Sequence, residues 1–307
     1  MRIAIFGTGG VGGYFGARLA AAGNDVAFIA RGRHLAAMRE HGLQIKSPLG
    51  DVTVKPVQAS DDTATIGPVD AVLFCVKLYD TETAAAKLRP LLGPETAVIS
   101  LQNGVDSEAR IAAIIGSGHV VGGVAYISAV IDAPGTVRHL NTQAKLAYGE
   151  LDGKPSARIE RFHAACQKAG FAAELSDKID VLIWEKFVML ASMAAVTGVT
   201  RSPIGPILAD ADTRALFTDA MHEVAAVAAA KGVALAPDVV ERTLKFAGQL
   251  PAAMKASLAH DLDRGNRIEI EGLSGAVVRL GQAAGVPTPV HRVVYAALKP
   301  WAGGRKN

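Results

Sequence analysis

Gly7, Gly9 and Gly12 follow directly on the apolar run Arg2 to Phe6 and open a helical pattern that runs to about Ala22, where Gly23 stops it. Glycines at this spacing suit the cradling of a dinucleotide pyrophosphate: Gly7 for the tight turn, Gly9 for close backbone approach to the anion, Gly12 for close packing of helix on strand. The phosphates then meet the helix N-terminus, where unpaired N–H groups and the helix dipole favour negative charge. Thr8, Gly10 and Val11 fill out the turn and join the three glycines as candidate cofactor contacts. A second strand pattern, Asp25 to Ala30, ends on Arg31 and Arg33, at the place where NAD-binding chains carry an Asp or Glu for the ribose 2′-hydroxyl. With no carboxylate in that position and a guanidinium able to fork onto a phosphate, the pattern predicts NADPH over NADH, although surface arginines also occur with no ligand to bind.

The elements around this turn alternate. Asp70 to Lys77 reads as a buried strand, Thr81 to Leu92 as a helix and Ala97 to Leu101 as a strand. Val120 to Val130, Val137 to His139 and Lys145 to Tyr148 read as further strands, the later ones antiparallel at a sheet edge. Arg158 to Ala169 reads as a helix closed by Gly170, and Phe171 to Leu175 as a last short strand. From Ile179 the pattern is helical throughout: Ile179 to Val199, Thr213 to Lys231, Pro237 to Gln249, Pro251 to Leu262, Ile268 to Ala284 and His291 to Leu298. The fold class expected is therefore α/β: an N-terminal Rossmann-type doubly wound sheet over 1–176, followed by an all-helical C-terminal domain over 177–307.

Composition bounds the function. Half of the 307 residues are hydrophobic, enough for a substantial core, and 32 Lys and Arg against 29 Asp and Glu leave a net charge of +3. The basic residues are scattered rather than striped, which argues against a nucleic-acid groove. Cys75 and Cys166 lack metal-ligand spacing and fit a reducing compartment, and the eight histidines form no His-x-x-x-His pair, so no metal site is expected. No apolar run reaches the roughly 18 residues of a membrane span, and the chain opens on a strand pattern rather than a signal peptide. A cytoplasmic protein with a small-molecule ligand is expected, and the Ala-rich helices of the second half leave room for a homodimer.

Four further segments, VKLYDT (Val76 to Thr81), LQNGV (Leu101 to Val105), WEKF (Trp184 to Phe187) and the run Ser257 to Glu269, follow the glycine turn in fixed order. Together they resemble the ketopantoate reductase (2-dehydropantoate 2-reductase) family over nearly the whole chain. The resemblance implies NADPH-dependent reduction of a 2-oxo acid to a 2-hydroxy acid, with 2-dehydropantoate to pantoate, a step of pantothenate biosynthesis, as the family reaction. It implies Lys186 as proton donor, a role its chemistry suits, because an ammionium beside a ketone oxygen stabilises the charge that hydride transfer leaves there. It implies Glu269 near Lys186 and the nicotinamide ribose, Lys77 near the adenosine phosphates, Asn103 at the ribose or the substrate oxygen, Ser128 at the cofactor and Ser257 at the substrate carboxylate, with Asp261 orienting polar neighbours. Read without the resemblance, Glu269 is explained by a helix start after Arg264-Gly265-Asn266, Lys186 by a snorkelling helix lysine and Asn103-Gly104 by a turn.

The chain departs from that family on the substrate side. Leu190 and Ala194, four and eight residues beyond Lys186 and so on its helix face, stand where ketopantoate reductases carry asparagines, and Ile204 stands at a third such place. Both Leu190 and Ala194 are candidate substrate contacts, and they favour a more apolar 2-oxo acid. Ser192, Thr197, Thr200 or Arg201 are the alternatives for restoring polar contacts. A different dehydrogenase on the same architecture, or an NADPH-binding sensor without turnover, are the remaining readings.

Overall fold

The computed structural model describes residues 1–305. Its first unit comprises residues 1–102 and 107–179. In chain order it contains β1 (Arg2–Phe6), α1 (Gly10–Ala21), β2 (Asp25–Ile29), α2 (Gly32–His41), β3 (Leu43–Lys46), β4 (Val52–Val54), β5 (Gln58–Ser60) and β6 (Val69–Phe74). These are followed by α3 (Thr81–Ala85), β7 (Leu92–Ser100), α4 (Ser107–Ile115), β8 (Val120–Ala133), β9 (Thr136–Glu150), α5 (Ala157–Gln167) and β10 (Ala172–Leu175).

All ten strands form one sheet in the order β4-β3-β9-β8-β7-β6-β1-β2-β5, with β10 also on β9. The run from β8 to β5 is parallel throughout. Side chains alternate across it as period-2 geometry requires. Ile3 and Ile5 of β1 join Phe15, Phe28 and Phe162 on one face, whereas Ala4 and Phe6 join Ile29, Phe74 and Ile111 on the other. Both faces are buried under helices, which is the doubly wound arrangement.

Three expectations are corrected in this unit. The strand pattern over Val137 to Tyr148 is one fifteen-residue strand, β9, and it is not at an edge, because β3 and β10 both pair with its other side. The segment from Thr81 to Leu92 is not one helix. Its α-helical part ends at Ala85, because the Pro90 ring would run into the Ala86 carbonyl of a continued helix, and Leu92 already belongs to β7. The short strands β3 to β5, which the alternating pattern does not announce, lie at the two ends of the sheet.

The second unit comprises residues 103–106 and 180–307, of which the described part is helical with no strand. It holds α6 (Ile179–Thr200) from Asp180 on, α7 (Ile204–Ala209), α8 (Ala211–Ala230), α9 (Val239–Ala247), α10 (Ser257–Asp263), α11 (Ser274–Ala284) and α12 (Pro289–Leu298). The Glu223 carboxylate on α8 accepts from the backbone N–H groups of Val290 and His291 and so caps α12 from a neighbouring helix. His291, fully buried, bridges Ser274 Oγ of α11 and the Ala220 carbonyl of α8. Burial lowers its pKa to about 4.

Two helix boundaries differ from the sequence pattern. The helix read from Pro251 begins only at Ser257, and the one read from Ile268 begins only at Ser274. Glu269 therefore does not start a helix, and the dipole does not account for it. Its backbone carbonyl instead accepts from the N–H groups of Gly272 and Leu273 in a turn that leads into α11.

Candidate active site

The candidate site of the first unit is made of backbone. Gly7 sits at φ +98, in the left-handed region, and the turn is pinned to the end of β2, because the N–H groups of Gly7 and Thr8 and the Thr8 hydroxyl all point at the Ile29 carbonyl. A side chain at Gly12 would strike the Gly7 carbonyl, and one at Gly10 would strike the Ala129 carbonyl of β8. At Gly9 the space is open, with nothing within 4 Å of a built Cβ. No side chain caps α1 and no acidic residue lies in its first turn. The N–H groups of a helix start, an absent cap and open space above Gly9 form a cradle that fits a pyrophosphate.

The neighbours of this turn come from two other strands. Gly7 lies against Cys75 and Val76 just past β6, which places the exposed Lys77 beside the turn. Ser128 lies at a register irregularity in β8, between Ile127 and Ala129, next to the carbonyl that Gly10 approaches. Arg31, two residues past β2, is exposed, and its guanidinium pairs with the Asp80 carboxylate at 3.2 Å. Asp80 corrects the reading of this corner: the second strand ends without a carboxylate, but the fold brings one to Arg31 from 49 residues away.

The candidate site of the second unit is made of side chains. On α6, Trp184 and Phe187 are buried and pack edge to face at 5.9 Å, while Glu185 pairs with Arg242 of α9 at 2.9 Å. The helix turn between them is thereby held, and Lys186 projects from it. Its ammonium donates to Asn103 Oδ1 at 3.0 Å. Burial pushes the Lys186 pKa down to about 8, against the opposing pull of the Glu269 charge. Glu269 is itself buried, at 6% exposure, a cost that a carboxylate bears only next to a cation or donors.

Asn103 and Lys77 each stand three residues beyond the end of a strand, and Phe74 and Ser100, the ends of β6 and β7, are paired in register. Equivalent sequence offsets thus lead to both residues. The loop carrying Asn103 is tied by Arg279 of α11, which bonds the Asp106 carboxylate at 3.2 Å and the Glu271 carbonyl at 2.9 Å. One guanidinium therefore joins the segment that bears Asn103 to the segment that bears Glu269. Arg279 belongs to no motif that would mark it in the sequence.

The other sequence candidates are placed as follows. Leu190 is half-buried one turn beyond Lys186, whereas Ala194 is 2% exposed and Ile204 fully buried, so Leu190 alone of the three offers appreciable surface. Ser257 is exposed at the start of α10, next to Ala256, whose N–H points at Thr197 Oγ1. Thr197 lies eleven residues from Lys186, about 16 Å along a helix, so Ser257 is not grouped with the lysine by any bond. Asp261 accepts from the Asn266 side chain and orders that turn.

Among the polar alternatives, Thr197 and Thr200 donate to carbonyls of their own helix, and Arg201 pairs with Asp263. Arg201 stands fifteen residues from Lys186, about 22 Å along the axis and beyond the reach of one side chain. The Ser192 hydroxyl is buried without a partner. Among the described residues no group of three or more His, Cys, Asp or Glu is placed to hold a metal, and no helix is long and apolar enough to cross a membrane. Burial raises the thiol pKa of both Cys75 and Cys166, the latter to about 12.

Residues 3–153 match the family described as Ketopantoate reductase PanE/ApbA, and residues 178–302 match Ketopantoate reductase PanE/ApbA C terminal. A 2-dehydropantoate 2-reductase from Mesorhizobium japonicum is 34% identical over 97% of each chain. The crystal structure of a PanE/ApbA family ketopantoate reductase from Ralstonia eutropha JMP134 matches at TM-score 0.90 and 35% identity over 98% of each chain. That of a 2-dehydropantoate 2-reductase from Geobacter metallireducens matches at TM-score 0.91 and 31% identity, over 98% of this chain and 99% of the other. The matches run along almost the whole length, and the chain belongs to the ketopantoate reductase family of oxidoreductases.

Proposed function

We propose that this protein is a cytoplasmic NADPH-dependent reductase that converts a 2-oxo acid to a 2-hydroxy acid, with 2-dehydropantoate as the first substrate to test. The observation that carries this reading is the Lys186 ammonium, held at 3.0 Å by Asn103 Oδ1, countered by Glu269, and with its pKa brought down to about 8. A lysine so tuned is still largely protonated at neutral pH yet gives up its proton more readily than a solvated one. The nicotinamide supplies the hydride. Lys186 polarises the ketone oxygen, stabilises the developing alkoxide and donates the proton, while Asn103 fixes the ammonium. Glu269 preserves its charge until the proton leaves.

The N-terminal turn, Gly7 to Gly12, would hold the pyrophosphate, Arg31 the 2′-phosphate, and Lys77 the adenosine phosphates, with Ser128 beside the turn. This division makes the first unit the cofactor domain and the second the substrate domain. The names borne by the relatives from Mesorhizobium and Geobacter support 2-dehydropantoate as substrate. Leu190, presenting hydrocarbon one turn from Lys186, favours a second reading: a more apolar 2-oxo acid on the same machinery.

The test is NADPH oxidation by the purified protein with 2-dehydropantoate set beside unbranched and bulky apolar 2-oxo acids at equal concentration. A preference for 2-dehydropantoate supports the family reaction. A preference for an apolar acid keeps the chemistry and assigns the substrate to Leu190. No turnover with any 2-oxo acid removes the reductase reading.

A further inference from the structure

Asp80 stands at a corner of the first unit where three strands deliver groups to one place. The glycine turn after β1 is bonded to the Ile29 carbonyl at the end of β2, Arg31 follows two residues later, and the segment after β6 packs on Gly7 through Cys75 and Val76. Four residues beyond Val76, the Asp80 carboxylate takes one edge of the Arg31 guanidinium at 3.2 Å. The Arg31 side chain is 78% exposed and that of Asp80 24%, so the arginine is the solvent-facing member of the pair.

We propose that Asp80 is a cofactor-selecting residue that acts against the 2′-phosphate and so limits the preference for NADPH that Arg31 confers. This inference rests on the reading of Arg31 as the 2′-phosphate ligand. An arginine has five N–H donors, so a phosphate can still fork onto the free edge while Asp80 keeps the other. It then sits about 6 Å from the carboxylate, where like charges repel. Alternatively the guanidinium leaves Asp80 to meet the phosphate, and the ion pair is lost. Either way the phosphorylated cofactor bears a cost that NADH, with a neutral 2′-hydroxyl, does not. Holding Arg31 in place is a smaller benefit, because an exposed pair of this kind is weak and screened.

Asp80→Asn keeps the shape of the side chain and removes its charge. The Asp80 side chain makes no capping bond to α3. The experiment is a fluorescence titration of the purified protein with NADPH and, separately, NADH, with no substrate present. Asp80→Asn is expected to raise the ratio of NADPH to NADH affinity about three- to ten-fold at low ionic strength, with a smaller gain at high salt. A ratio that is unchanged or lowered overturns the proposal.

Arg31→Ala run in parallel separates the two levels. Loss confined to NADPH supports the reading beneath, and a flat Asp80→Asn result then defeats this inference alone. Equal loss of both cofactors overturns the assignment of Arg31 and the inference with it.

Discussion

The glycine turn of the first unit and the lysine cluster of the second are built from different materials. Around Gly7 to Gly12 the ligand-facing groups are backbone N–H groups at a helix start, and the side chains matter chiefly by being absent. Around Lys186 the reverse holds: a cation, an amide and a carboxylate come from α6, the loop at Asn103 and the turn at Glu269, and none is within eighty residues of both others. A backbone cradle tolerates nothing larger than hydrogen where it is crowded and tunes no pKa. A side-chain cluster tolerates change in its frame but depends on each charge. Substitutions in the two regions should therefore fail in different ways.

The largest effect is expected at Lys186. Lys186→Ala removes both the stabilising charge and the donated proton, and should lower kcat by about 10³-fold or more while leaving NADPH affinity within a few-fold. Steady-state rates with titration of the cofactor check both. At the backbone site the same loss should appear as binding or folding. Gly10→Ala drives a methyl into the Ala129 carbonyl and should destabilise by about 1–3 kcal/mol or more in urea unfolding. Gly9→Ala meets no protein atom, and its backbone at φ −88 admits alanine, so stability should fall by less than about 1 kcal/mol while NADPH binding weakens. If Gly9→Ala bound NADPH normally, the phosphate would not lie over that residue, and the cradle would need another occupant.

The same contrast explains what the sequence discloses. The glycine turn is contiguous, so its spacing, the strand before it and the helix after it are readable together, and the crowding at Gly12 is the packing that the spacing predicts. Gly10 was less transparent, because its constraint comes from Ala129 in a strand more than a hundred residues on. Asp80 was invisible for the same reason: the end of β2 shows only Arg31, and the carboxylate arrives through the order β2-β1-β6. In the second unit, Lys186 and Glu269 were legible only through the ordered motifs that resemble a family, since either residue alone is ordinary on a helical chain. The turn Arg264-Gly265-Asn266 suggests a helix start at Glu269, but Ile268 and Ile270 are buried in a non-helical segment and the helix begins only at Ser274.

Glu269 offers a finer test. Lys186 must be protonated to donate, so activity should decline as pH rises through about 8. The Glu269 charge raises that pKa, and Glu269→Gln removes it. The alkaline limb of kcat/KM should then move to lower pH. A limb that stays in place would assign the titration to another group.

The smallest effect is expected at Arg279, where the two kinds of construction meet. Its guanidinium holds a carboxylate, that of Asp106, with one nitrogen and a backbone carbonyl, that of Glu271, with another, and so sets the distance between the segments that carry Asn103 and Glu269. The side chain is 52% exposed, and an exposed pair contributes about 0.2–1 kcal/mol. Arg279→Ala should therefore cost only a few-fold in kcat, yet it should also shift the alkaline limb, because Asn103 and Glu269 both act on Lys186. A lysine has no planar fork and cannot hold both partners in one geometry, so Arg279→Lys should recover thermal stability more fully than rate. If Arg279→Ala lowered the melting temperature and left the limb where it was, Arg279 would be a surface tie, and the geometry around Lys186 would be set by the packing of Trp184 and Phe187 alone.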